Sequence, residues 1–173
     1  NDTWARDFGP LTIERNGCKE LLDFKFNGWG LKFAACHDNL INRSLDTAGV
    51  FDSRLINRLN FVLEGGSVES DGNGTLMTTS ECLLSPNRNG QCSREDIEDF
   101  LKMQFGVKQV LWIDHGGIAG DDTDSHVDTL ARIAPHDTII YVGPKDDGDT
   151  GNLALMREDI KRFRTLDGQP YNL

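Results

Sequence analysis

Ser67-Val68-Glu69-Ser70-Asp71-Gly72-Asn73-Gly74-Thr75-Leu76-Met77-Thr78-Thr79 reads as strand, turn, strand, and the helix and strand expected downstream of it decide the fold. Asp71 to Gly74 is dense in residues that accept positive φ or hydrogen-bond their own backbone, which is the chemistry of a tight turn. A loop from Ser85 to Gln91 leads to Ser93-Arg94-Glu95-Asp96, a capping box in which the serine accepts from early backbone N–H groups and the acid reaches back. Ile97, Phe100, Leu101 and Phe105 then mark one apolar helical face, and Gly106 stops the helix. Val107 to Ile113 is apolar enough for a strand. The unit is therefore ββαβ.

The same plan precedes and succeeds it. Upstream, Leu11 to Ile13 reads as a strand, Arg15-Asn16-Gly17 as a hairpin turn and Glu20 to Phe26 as the return strand. A helix is expected over Asp38 to Ala48, with Leu40, Ile41, Leu45 and Ala48 on its apolar face and Gly49 at its end, and then a strand from Leu59 to Leu63. Downstream, His126-Val127-Asp128 is expected to enter a strand that runs through Ile133. A Pro135-His136-Asp137 turn and a strand from Thr138 to Val142 come next. A polar loop from Lys145 to Asn152 precedes a helix to about Arg164, with Leu153, Met156, Ile160 and Phe163 on one face. The chain is thus an α/β protein of three units of about 60 residues each, a period found in propellers and arrays. The expected boundaries are residues 1–60, 61–118 and 119–173.

Composition narrows the partners. The formal net charge of −10 and the lack of a basic stripe with interleaved aromatics argue against nucleic acid. The acidity suits a cationic substrate, and it equally suits simple solubility. No apolar run approaches the ~20 residues of a membrane span. The four cysteines, Cys18, Cys36, Cys82 and Cys92, include no Cys-x-x-Cys pair, so spacing supports neither structural zinc nor a redox dithiol. Cys82 and Cys92 flank a loop that a disulfide would close in an oxidising compartment. Reduced thiols in a cytoplasmic protein are the expectation preferred here. The chain opens on Asn1-Asp2-Thr3 without methionine, as a processed or truncated start would, which leaves secretion open.

Each unit carries a charged cluster near its start: Trp4-Ala5-Arg6-Asp7, Leu63-Glu64-Gly65-Gly66 and Ser125-His126-Val127-Asp128, about 60 positions apart. On a strand, His126 and Asp128 would share one face, and an imidazole beside a carboxylate serves as acid and base in turn. The alternative is a polar pair capping backbone groups. Glu64 ends an apolar run and precedes two glycines, so it emerges at the rim of a core. Burial there raises its pKa unless a cation or donor is near. A salt-bridged strand end is the alternative for Glu64, and a local ion pair with Arg6 is the alternative for Asp7. Asp121, Asp122, Asp124, His126 and Asp128 offer hard donors of the kind calcium or manganese takes. The segment lacks the glycine and terminal glutamate of an EF-hand loop, so no metal is expected.

Three long stretches carry a likeness to a known family: Trp4-Ala5-Arg6-Asp7-Phe8-Gly9-Pro10; Leu63-Glu64-Gly65-Gly66-Ser67 with Asp71-Gly72 and Thr78-Thr79-Ser80-Glu81-Cys82-Leu83-Leu84; and Asp121-Asp122-Thr123-Asp124-Ser125-His126-Val127-Asp128. Together they resemble the agmatine deiminases and bacterial (Porphyromonas-type) peptidylarginine deiminases. These are guanidino-group-modifying enzymes of the pentein fold, a five-bladed α/β propeller. The resemblance implies a partial propeller with about three of five units present.

It also implies a mechanism. A cysteine thiolate attacks the guanidinium carbon, ammonia leaves, and water hydrolyses the thiouronium intermediate, with no cofactor. Carried over by motif, Asp7 and Asp128 hold the guanidinium nitrogens. Glu64 orients His126 and the substrate, His126 moves the protons, and Trp4 lines the pocket. The family's nucleophilic cysteine lies in a glycine-rich segment near the C-terminus, and none of the four cysteines here matches that motif. The expected partner is a small cationic guanidino substrate, agmatine before peptidyl-arginine. A second copy or further segments would cover the ends of the open propeller. The competing expectations are an inert fragment without turnover and an acidic metal-binding module centred on Asp121 to Asp128.

Overall fold

A computed structural model describes residues 2–146 and 150–173. Residues 147–149 of the expected polar loop lie outside the described residues. The chain divides into two compact units. One comprises residues 1–65 with 86–89, and the other residues 66–85 with 90–173.

The first unit opens with a helical turn, α1 (Ala5–Phe8), then β1 (Leu11–Arg15) and β2 (Cys18–Lys25). Asn16 (φ 53°) and Gly17 (φ 75°) form the hairpin turn, and Arg15 pairs with Cys18 across it. A turn α2 (Gly28–Leu31), the helix α3 (Asp38–Thr47) and strand β3 (Arg54–Val62) complete the run. β3 lies parallel to β2, as a helical crossover requires, giving sheet order β1-β2-β3. Pairing jumps from Phe24↔Arg58 to Lys25↔Val62, so β3 bulges before the backbone N–H of Leu63 reaches the Lys25 carbonyl at 3.2 Å. Phe8, Phe26 and Trp29 pack as a small aromatic core, with the Phe26 and Trp29 rings edge-on at 5.0 Å.

Of the expected apolar face of α3 only Ile41 packs, against the Phe8, Phe26 and Trp29 cluster. Leu40 is 56% exposed and Leu45 37%, while Asp38 and Asn42 are buried. The reason lies at the end of β2, where the backbone of Phe26 lies past the last strand pairing. Asn39 supplies the ladder instead. Its Oδ1 accepts from the Phe26 N–H at 3.0 Å, and its Nδ2 donates to the Phe26 carbonyl at 2.6 Å. Asn42 Nδ2 donates to the Phe8 carbonyl and to Asp23 Oδ1, both at 2.7 Å. The helix docks through side-chain amides rather than leucines.

The second unit holds β4 (Val68–Ser70), β5 (Thr75–Thr79), a helical turn α4 (Ser80–Leu83), helix α6 (Arg94–Phe105) and β6 (Gln109–Ile113). The turn α5 (Pro86–Asn89) belongs with the first unit. The loop expected at Ser85 to Gln91 is therefore partly helical. β4 and β5 pair antiparallel and β5 and β6 parallel, as the sequence pattern requires. The Ser93–Asp96 capping box forms, Gly106 ends α6 in the left-handed region, and Ile97 and Leu101 are fully buried.

Then come α7 (Val127–Leu130), β7 (Ala131–Ala134), β8 (Thr138–Tyr141) and α8 (Asn152–Arg162). β7 and β8 form a two-stranded sheet, and Asn172 bridges to Thr138 in parallel where a third strand would run. Met77, Ile113, Val127, Leu130, Ile139, Met156 and Ile160 make the main core.

If α3 docks through amides, Asn39→Ala costs about 1–3 kcal/mol, because it orphans the Phe26 backbone groups. Leu40→Ala stays within about 0.5 kcal/mol. Urea unfolding of both variants checks the contrast; the reverse order refutes it.

Candidate active site

In the first unit, Asp7 sits on the α1 turn and is buried. Trp29 Nε1 donates to its Oδ2 at 2.9 Å in the interior. Trp29 reaches it from a strained backbone, with φ 55° flanked by Gly28 at 69° and Gly30 at 80°. A bulky residue in that region costs about 1–3 kcal/mol and persists only when its surroundings enforce it. The enforcement is visible. A Cβ on Gly28 would lie 2.0 Å from the Phe33 carbonyl oxygen, and Asn27 Oδ1 accepts from Gly30 N at 2.9 Å.

Glu64 comes directly after the bulged end of β3 and is fully buried. Its approach to α1 needs Gly65, where a Cβ would lie 2.1 Å from the Arg6 carbonyl oxygen. Arg88 Nε donates to Glu64 Oε1 at 3.1 Å and Oε2 at 3.0 Å, with both side chains out of solvent. α5 carries Arg88 to this position. Asn27 Nδ2 donates to the Asn87 carbonyl at 2.7 Å, and Asn89 pairs with both backbone groups of Val62, at 3.0 and 2.8 Å. Burial pushes the Glu64 carboxyl above its usual range. The Arg88 guanidinium pulls it back, and the negative charge of Asp7 adds to the rise. The structure thus brings Asp7 and Glu64 into one electrostatic neighbourhood. Trp4, at the N-terminal end of α1, is 66% exposed.

In the second unit, His126 is 2% exposed, but not for the reason the alternation suggested. Val127 to Leu130 is a helical turn, with His126 as its N-cap and Asp128, partly buried, in its first turn. The strand begins only at Ala131. Val127 and Leu130 are both buried, and a spacing of three puts them on one side of a helical turn, whereas a strand would have put them on opposite faces. His126 and Asp128 are therefore not strand partners on one face.

The loop before His126 is fixed by its own polar atoms. Asp121 Oδ1 accepts from Thr123 N at 2.9 Å and Thr123 Oγ1 at 2.6 Å, and its Oδ2 accepts from Ser125 N at 2.7 Å. Although burial works the other way, these hydrogen bonds hold the Asp121 carboxyl below its usual range. Both Asp121 oxygens are thus engaged by the loop, which weakens the metal-binding expectation for this segment. Asp124 (φ 62°) and Ser125 (φ 60°) are left-handed. Ser125 Oγ donates to Glu81 Oε2 at 2.7 Å, and Thr79 Oγ1 donates to the Ser125 carbonyl at 2.8 Å. Cys82 is fully buried on α4, with its Sγ within 4.8 Å of a His126 ring nitrogen. None of the four cysteines is in a disulfide among the described residues.

Trp29, Arg88 and the Thr79–Ser125 contact were not identified from the sequence. The triplet Gly28-Trp29-Gly30 carried a signal, since paired glycines flag a positive-φ stretch. Arg88 carried none, lying in a polar loop.

Removing the guanidinium in Arg88→Met strands a buried charge and is expected to cost about 3–5 kcal/mol, read by urea unfolding. The raised Glu64 value also sets a pH dependence. Between the ordinary carboxylate range and that value the native state binds the proton more tightly than the unfolded chain. Its contribution is present at low pH and is lost as pH rises through the raised value. Stability against urea, measured from about pH 4 to 8, therefore falls more steeply with rising pH in wild type than in Glu64→Gln. Equal slopes would rule this out.

The family model for Porphyromonas-type peptidyl-arginine deiminases matches residues 1–173. An agmatine deiminase of Medicago truncatula is 39% identical over 141 residues, 75% of this chain and 38% of that protein. A Porphyromonas gingivalis chain solved as a candidate arginine deiminase is 52% identical, with a TM-score of 0.95 over 100% of this chain and 52% of that one. A cysteine-to-serine variant of the C. jejuni agmatine deiminase, solved with substrate bound, is 40% identical, with a TM-score of 0.87 over 100% of this chain and 50% of that one. The chain spans about half the length of these relatives. Among the described residues, no helix is long and apolar enough to cross a membrane.

Proposed function

The chain belongs to the Porphyromonas-type peptidyl-arginine deiminase family, and on that premise we propose that it supplies binding and proton-transfer groups to a guanidine deiminase acting on agmatine. Its fold is that of the pentein deiminases, of which it forms a part. We assign one ββαβ module to each of residues 1–60, 61–118 and 119–173.

The observation that carries the reading is the buried Asp7 carboxylate in the electrostatic neighbourhood of Glu64, whose own charge Arg88 already meets. Trp29 Nε1 donates to Asp7 Oδ2, a neutral donor that orients the carboxylate. Buried negative charge is stabilised by a planar cation that can donate two N–H groups, and a guanidinium is one.

In the proposed reaction Asp7 and Asp128 hold the guanidinium nitrogens, and Trp4 lines the approach. A cysteine thiolate from another segment adds to the guanidinium carbon. His126 gives its proton to one amino group, the C–N bond breaks and ammonia leaves. The neutral His126, oriented by Glu64, then takes a proton from water as its oxygen adds to the thiouronium carbon. The C–S bond breaks, returning the thiolate, and the remaining hydroxyl proton passes to solvent, leaving a neutral ureido group. The C. jejuni relative, which held substrate as a cysteine-to-serine variant, fits a thiolate nucleophile.

Agmatine is preferred because relatives with that name run along most of this chain. The product would be N-carbamoylputrescine, feeding putrescine formation in the cytoplasm. Peptidyl-arginine is the second reading, favoured by the description of the matched family. Further segments, or a second copy, would complete the site.

The whole protein should release ammonia from agmatine with formation of the ureido product. His126→Asn should lower kcat by about 10²–10⁴-fold. Ammonia from a peptidyl-arginine substrate alone would move the assignment to the second reading. No ammonia from either substrate would end it.

A further inference from the structure

We propose that Thr79 is a positioning residue for His126, which rests on the reading of His126 as the acid–base group. Thr79 is the last residue of β5 and is 2% exposed. Its hydroxyl makes two contacts. Oγ1 donates to the Ser125 carbonyl at 2.8 Å and accepts from Cys82 N at 3.3 Å. The first contact fixes the peptide plane that joins Ser125 to His126, and so the direction in which the His126 backbone leaves the loop. The second caps α4, whose Cys82 Sγ lies within 4.8 Å of a His126 ring nitrogen. One hydroxyl thus anchors both the backbone that carries the imidazole and the turn packed beside it.

The anchor has a strain to hold. Asp124 and Ser125 sit in the left-handed region without being glycines, a conformation that relaxes when its restraints are removed. Asp121 and Glu81 restrain the same loop, but Asp121 belongs to the loop and Glu81 to a single helical turn. Thr79 reaches it from a strand paired on both sides, with β4 and β6. A site is positioned best from such a rigid element.

Thr79→Val keeps the side-chain shape and removes the hydroxyl, while Thr79→Ser keeps the hydroxyl. In the whole protein with agmatine, Thr79→Val is expected to lower kcat by about 10- to 100-fold, the cost of a misplaced catalytic group, with KM within about threefold. It should also move the His126 limb of the pH–rate profile and shift the His126 ring resonance in NMR of histidine-labelled protein. Thr79→Ser should restore kcat to within about threefold and return the resonance. Should Thr79→Val fail to fold, Thr79→Cys, whose thiol is a poorer donor, gives an intermediate kcat and resonance.

Wild-type kcat and an unmoved resonance in Thr79→Val, or Thr79→Ser as impaired as Thr79→Val, would overturn the proposal. A wild-type protein without deiminase activity would overturn the reading of His126 instead, and the ring resonance would still decide whether Thr79 sets its position.

Discussion

A carboxylate with no solvent exposure at the end of a strand is the constraint around which the first unit is arranged. Isolated burial of such a charge is prohibitive, so Glu64 requires a cation, and Arg88 Nε meets both of its oxygens. That single contact sets demands elsewhere. α5 must be held against the end of β3, which the Asn89–Val62 and Asn27–Asn87 hydrogen bonds do. The chain after Glu64 must pass close to the Arg6 carbonyl, which only a residue without Cβ allows. The result places the Glu64 charge where it feels Asp7, and Asp7 in turn holds the indole of a strained Trp29.

The second unit solves a different problem. A buried imidazole must be presented by a loop of small polar residues, which have little apolar surface with which to anchor themselves. The loop is therefore tied by hydrogen bonds to its own Asp121, to Glu81 on α4 and to Thr79 on β5. Apolar packing resumes immediately after His126, with Val127 and Leu130 seated in the core. His126 marks the boundary between a hydrogen-bonded frame and a hydrophobic anchor, a placement that fixes the backbone carrying its side chain.

Much of this was legible along the chain. The Asn16-Gly17 turn, the Asp71–Gly74 turn, the Ser93–Asp96 capping box and the Gly106 stop are local devices whose physics is complete within a few residues. Each formed as read. Local preference gave way where a partner far along the chain reversed it. Leu40 and Leu45 suggested an apolar helix face, yet the docking surface was the end of β2, which called for amides from Asn39 and Asn42. His126-Val127-Asp128 suggested alternation, yet core packing called for the spacing of three between Val127 and Leu130.

The sequence by itself determined the ββαβ order of the elements from β1 to β6, the turns that separate strands and the motif positions Asp7, Glu64, His126 and Asp128. These arise from short-range sterics, capping and periodicity, which act between near neighbours. Only the tertiary structure decided that Arg88 answers Glu64, that Trp29 answers Asp7, and that the hydroxyl of Thr79 holds the loop before His126. Those pairings join residues 24, 22 and 46 positions apart. Desolvation selects them, because a buried charge or carbonyl must find a partner wherever the folded chain brings one within reach.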